Sequence, residues 1–226
     1  MLNYEQLETI QKKLQKHMGT KRYRHTIGVQ YTSVMLAMRY EVDLQKAALA
    51  GLLHDCAKCL EEEQMLKECD RNHIKYSSTE KKQPYLLHAQ LGACYARKKY
   101  DIEDGDILSA IRYHTTGRAE MTILEKIIFT ADYMEPHRKM LPHLPAIRKM
   151  AFEDIDEAVY MILRDTIDYL KEDTQKEKTA DSQKQFSSDL PDKKNATKKK
   201  KEIETHTLQA YEYYEQLHLK KTLENN

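Results

Sequence analysis

Six residues carry the strongest chemical signal in this sequence: His25, His54, Asp55, His88, His114 and Asp132. Five of them sit on the apolar faces of five separate segments, and Asp55 adjoins His54. Burying that many imidazoles and carboxylates unpaired costs about 1–3 kcal/mol each, so a shared cation is the economical reading. Helix bundles build metal sites from side chains on facing helices. Mixed nitrogen and oxygen ligands suit iron, manganese, cobalt or zinc, whereas magnesium and calcium prefer all-oxygen shells. Three or four ligands per ion leave room for water, which such an ion acidifies toward neutral pH while also polarising a phosphoryl oxygen. Neighbouring helical residues point about 100° apart, so near a helix end His54 and Asp55 can both reach one side of an ion. The two oxygens of Asp55 can bridge a pair of ions.

Cationic residues accompany these ligands, as a substrate with several phosphates would require. Lys58 follows Asp55 by three residues and could neutralise a bridging or leaving phosphate, or be an ordinary surface lysine. Arg118 and Arg138 follow predicted ligands by four and six residues, and arginine clamps phosphate oxygens bidentately. Thr116 and Gly117 could offer backbone N–H groups to a phosphate, although a plain turn explains them equally well. The other histidines, His17, His73, His137, His143, His206 and His218, lie in polar segments or at segment edges and read as solvated. Tyr133 beside Asp132 could stack on a base, but packing is the default role for a tyrosine here.

The elements that position these groups read as helices throughout. Only 6 Gly and 5 Pro punctuate the chain, and apolar residues recur at three and four rather than two. Leu7, Ile10 and Leu14 form one stripe, which Gly19-Thr20 ends before a helix carrying His25. Asp43 to Lys58 reads as a central buried helix bearing the His54-Asp55 pair. Residues 61–83 are polar and irregular. Pro84 then suits the first turn of a helix with Leu87, His88, Leu91 and Tyr95. Asp104 to Tyr113 leads into His114, and the spacing Leu124, Ile128, Asp132 puts a carboxylate at the end of an apolar stripe. Ile155 to Leu170 is the last core helix. The domain is therefore expected over 1–170, followed by a charged, disordered insertion at 171–201 and a helix at 202–226 packing back on it.

Composition narrows the partners. In 226 residues, 37 basic and 36 acidic side chains nearly cancel, so no global field favours nucleic acid or an acidic membrane. No segment approaches the roughly 20 apolar residues that span a bilayer, and the N-terminus lacks a signal-like apolar core, which predicts a soluble, cytoplasmic protein. Its four cysteines then read as reduced thiols. Cys56 and Cys59 form a C-x-x-C without the second pair a zinc site wants or the preceding strand a redox motif wants. The lysine run Lys198 to Lys201 reads as a solvated charge run. Helical patterning does not set oligomeric state, and a homodimer is compatible with it.

The ordered strings YRHTIGV, GLLHDCAK, LLHAQLGA, IRYHTTGR and IFTADYMEPHR resemble the HD-domain superfamily and specifically its YqeK subgroup. The likeness spans about residues 20–170 and resumes at HTLQAYEYY. It implies a compact all-α bundle and an iron-containing hydrolase that cleaves diadenosine tetraphosphate symmetrically into two ADP. It further implies that His25, His54, Asp55 and Asp132 hold one ion, while His88 and His114 complete a second site or contact phosphate. Residues 171–201 depart from the pattern, where the connection is usually short. Together these readings expect catalytic roles for Asp55, Lys58, His88 and His114, and substrate contacts from His25, His88, His114, Arg118, Asp132 and Arg138. Two rival readings stand beside this one: hydrolysis of mononucleotides, guanosine polyphosphates or cyclic dinucleotides, and a non-catalytic nucleotide sensor.

Overall fold

The computed structural model describes residues 2–184 and 202–224, with side chains for 2–171 and 202–224. Helix α1 (Tyr4–His17) starts where the Asn3 side chain accepts the Gln6 N–H, and it buries Leu7, Ile10 and Leu14. Helix α2 (Thr20–Arg39) follows the Gly19 break. Helix α3 (Leu44–Leu53) is capped by Asp43, and every residue from Ala47 to Leu53 is buried. Gly51 permits its close approach to α2, because a Cβ there would lie 2.8 Å from Ser33 Oγ and 3.1 Å from the Gln30 Cα.

Three differences from expectation concern the middle of the chain. The helix expected over Asp43 to Lys58 ends at Leu53, and residues 54–59 form turns, with the Cys56 N–H bonded to Leu53 O and the Lys58 N–H to Asp55 O. The stretch 61–83, read as irregular, holds α4 (Glu62–Arg71) and α5 (Ser78–Lys82). Helix α4 buries only Met65 and Cys69, too narrow a stripe to stand out in the sequence, and α5 is a single capped turn opened by Ser77 and Glu80. A 3-10 turn (Pro84–Leu87) then feeds α6 (His88–Tyr100).

Helix α7 (Gly105–Tyr113) is capped by Asp104, and α8 (Ile123–Met134) by a Thr122/Glu125 capping box. The unforeseen α9 (Leu144–Glu153) begins with Pro145 in its first turn. Helix α10 (Ile155–Lys184) continues past Leu170, and the rest of the expected insertion, 185–201, lies outside the described residues. Helix α11 (Thr205–Glu224) packs on α10 through Ala210 and Tyr214, with His218 stacked on Tyr160 at 4.3 Å between ring centroids.

The largest apolar cluster joins α1, α2, α3, α7 and α8, a second joins α8, α9, α10 and α11, and a third ties α4 to α6. No strand occurs among the described residues, and the fold is all-α. No helix among them is long and apolar enough to cross a membrane. All four cysteines are free thiols.

Candidate metal centre

Three of the histidines stand at helix ends. His54 directly follows α3, His88 opens α6 and His114 directly follows α7. Each directs its ring Nδ1 at the carbonyl three residues upstream: His54 at Gly51 O (2.7 Å), His88 at Tyr85 O (2.5 Å) and His114 at Ile111 O (2.7 Å). A carbonyl only accepts, so each Nδ1 carries the proton and donates. His25, on α2, is held differently, with Nδ1 3.1 Å from Oε1 of Glu135, a carboxylate only 1% exposed. Orientation of all four rings from behind leaves every Nε2 lone pair free to face forward.

Those lone pairs converge. The Nε2 atoms of His25 and His54 lie 3.4 Å apart, and those of His88 and His114 lie 3.2 Å apart. Asp55 stands between the two pairs. Its Oδ2 is 3.8 Å from His25 Nε2 and 3.5 Å from His54 Nε2, while its Oδ1 is 3.3 Å from His88 Nε2 and 3.5 Å from His114 Nε2. Asp132 Oδ1 adds a second carboxylate, 3.0 Å from His25 Nε2. Neutral imidazole nitrogens facing one another and two carboxylates repel unless a cation sits among them. The donor atoms form three overlapping triads, each within 4.8 Å, of His25/His54/Asp55, His54/His114/Asp132 and Asp55/His88/His114. This cluster is able to hold a metal ion, and its nitrogen and oxygen donors fit a first-row transition ion.

The surroundings set the charge of each donor. Burial opposes ionisation of Asp55, but His54, His114 and His88 hold its carboxyl well below the usual range, and His25 and Arg138 do the same for Asp132. His54 is driven down by burial and up by Asp55 and Asp132, and the carboxylates prevail. His88 is pushed down to about 4, by burial first, with Lys58 adding to the effect.

Cations ring the cluster. Lys58 Nζ lies 3.0 Å from His88 Nε2, and burial depresses its ammonium. Arg138 donates from Nη2 to Asp132 Oδ1 and from Nε to Asp132 O, both at 2.7 Å. The structure engages Arg118 elsewhere: its guanidinium pairs with buried Glu125 (Nη2 to Oε2, 2.8 Å), bracing the start of α8. Tyr133 is half-buried packing between clusters.

Three neighbours do not stand out in the sequence. Arg22 Nη1 sits 2.5 Å from Asp55 Oδ2. Thr115 Oγ1 lies 3.1 Å from His88 Nε2 and 3.0 Å from His114 Nε2. Glu135 holds His25. Arg22 precedes His25 by three residues and Glu135 follows Asp132 by three, the spacing that puts each on its ligand's side of the helix.

Beside His25 opens a cleft of about 910 Å³, lined by Lys21, Arg22, Arg24, Arg138 and Lys139, with Glu135 its one carboxylate. Lys21, Arg24 and Lys139 have no ion-pair partner among the described residues. The cleft also receives the first turn of α2, which lacks a side-chain cap. Basic residues are disfavoured at a helix N-terminus unless an anion joins them.

Residues 22–137 match the HD domain family. The chain belongs to the HD-domain family. Among its relatives, a symmetrical bis(5'-nucleosyl)-tetraphosphatase of Halalkalibacterium halodurans is 43% identical over 158 residues, covering 68% of this chain and 81% of that protein. The protein of the same description from Bacillus subtilis is 37% identical over 171 residues, covering 76% and 89%. A crystal structure from Clostridium acetobutylicum, described as a predicted HD superfamily hydrolase involved in NAD metabolism, superposes with a TM-score of 0.78 at 34% identity, covering 96% of this chain and 99% of that one.

Proposed function

We propose that this HD-domain chain is a cytoplasmic hydrolase that cleaves diadenosine tetraphosphate symmetrically into two ADP, with iron as its metal. The observation that carries this reading is the junction of a six-residue nitrogen and oxygen cluster with a cationic cleft, the pairing that hydrolysis of a polyphosphate needs. The names of the relatives from Halalkalibacterium halodurans and Bacillus subtilis supply the substrate.

His25, His54, Asp55 and Asp132 would hold one ion, with His88 and His114 on the other side of Asp55 completing a second site or meeting phosphate. Bound metal supplies an acidified water and a Lewis acid for a phosphoryl oxygen. Asp55 serves both halves of the site because its two oxygens face different histidine pairs. Lys58, held beside His88, and Arg138, held on Asp132, present positive charge where negative charge grows on the phosphoryl oxygens. Oxygen from water adds to an inner phosphorus, the bond from that phosphorus to the central bridging oxygen breaks, and ADP departs. ADP is a weak base, so no strong acid is needed for its departure.

The test is a product assay on protein prepared without oxygen, joined to metal analysis. Two ADP per dinucleotide, at a rate far above that for mononucleotides, guanosine polyphosphates or cyclic dinucleotides, supports the reading, and AMP with ATP overturns it. His54→Ala and Asp55→Ala are expected to lose both metal content and turnover. Turnover persisting in a metal-free variant would contradict the mechanism.

A further inference from the structure

The cationic cleft does not end at its cations. It shares Thr20, Arg24 and His137 with a second groove of about 480 Å³ along the outer face of α2. Tyr23, Ile27, Tyr31 and Met35 recur there at intervals of four, so they form one stripe, and Pro136 also lines the groove. This stripe is unusually apolar for a solvent-facing surface: Tyr31 is 61% exposed and Met35 43%. The sequence of chemistries along this path is therefore metal cluster, cations, a junction with a hydroxyl and an imidazole, then aromatic and aliphatic surface.

That order is the order of groups in a nucleoside diphosphate. We propose that the groove along α2 holds the nucleoside of one ADP half of the substrate, with its base against Tyr31 and Tyr23 and its ribose near Thr20 and His137. The assignment rests on the function proposed above and adds to it where the base lies. Arg24 stands at the junction without an ion-pair partner among the described residues, placed to meet the phosphate nearest the ribose. The groove lies within the roughly 300–1,000 Å³ typical of small-ligand sites, and its continuity with the cationic cleft favours a nucleotide over a second copy of the chain, whose stable docking buries about 800 Å² per partner.

Calorimetric titration of ADP and of pyrophosphate into the full-length, metal-loaded protein tests this. Base stacking on an aromatic side chain predicts that Tyr31→Ala weakens ADP binding by about tenfold, leaves pyrophosphate binding as it was, and that Tyr31→Phe restores ADP affinity. Tyr31 is exposed, so neither change removes core packing, and circular dichroism verifies the fold. Equal ADP affinity in wild type and Tyr31→Ala overturns the proposal. So does a Tyr31→Ala protein that sediments as a smaller species with unaltered ADP affinity, an outcome that gives the stripe to a second copy. Failure of the parent reading looks different: ADP binding that depends on Tyr31 in a chain that leaves diadenosine tetraphosphate intact upholds the groove and removes the reaction.

Discussion

Glu135 shows how much a donor depends on the residue behind it. Its Oε1 accepts the His25 Nδ1–H and its Oε2 accepts the His137 backbone N–H, so both oxygens are committed inside the protein. Gly28 lies against this carboxylate, where any Cβ would collide with it. Glu135→Gln keeps the shape but weakens the hold on His25, and metal affinity should fall about 10–100-fold, read by competition with a chelator. Protonation offers a second test at this scale. In the metal-free protein His88 stays neutral down to about pH 4 because it is buried, while the unfolded chain takes up that proton near 6.5. Between those values the unfolded state binds more protons at this position, so His88 makes the native state less stable as pH falls. His54 has the opposite sign: its native value is raised above 6.5, so its contribution is full below 6.5 and is lost as pH rises through the raised native value. Titrating the ring protons by NMR should separate the two, and coincident midpoints would contradict the assignment. The six donors were legible because four imidazoles and two carboxylates on apolar faces are too costly to bury together without a cation to bind them. Glu135 and Arg22 were not, since charged residues of their kind abound and only the fold shows which ones turn inward. Arg118 carries the converse lesson, because Glu125, seven residues on, engages it.

At the scale of elements, the ends of helices matter more than their middles. The sequence periodicity located α2, α6, α7 and α8 and their inward faces, since apolar spacing reports the buried stripe directly. It carried the helix over Asp43 to Lys58 too far, because Cys56, Ala57 and Lys58 suit a helix or a turn equally well. It missed α4 and α9, whose buried faces are narrow. The break after Leu53 has a purpose in the geometry: it turns Asp55 beneath His54 so that both face the cluster. The placement of α3 depends in turn on Gly51. Gly51→Ala should strain the contact with Ser33 and Gln30 and lower stability by about 1–3 kcal/mol, seen as a lower urea midpoint with an unchanged slope. An unchanged midpoint would mean that α2 and α3 can separate without penalty.

Across the whole molecule, the cluster gathers side chains from α2, the turn after α3, the start of α6, the end of α7 and α8. Long-range convergence of this kind is not written in any local pattern, and the ordered motifs of the resemblance supplied what spacing could not. The C-terminal helix belongs to a different neighbourhood. Tyr214 fills the cluster between α8 and α10, and Lys221 pairs with Asp154 at 2.5 Å.

The three rings tethered to carbonyls at helix ends also bear on how the protein breathes. Helix ends are where backbone amides open first, and each tether ties a histidine of the cluster to such an end. Metal held on both sides of Asp55, whose two oxygens face the two histidine pairs, would link their separate fraying motions. Amide hydrogen exchange should therefore be independent at the ends of α3, α6 and α7 in the stripped protein and slow together when metal is added. Protection confined to one of the three ends would show that Asp55 does not couple the two halves of the site.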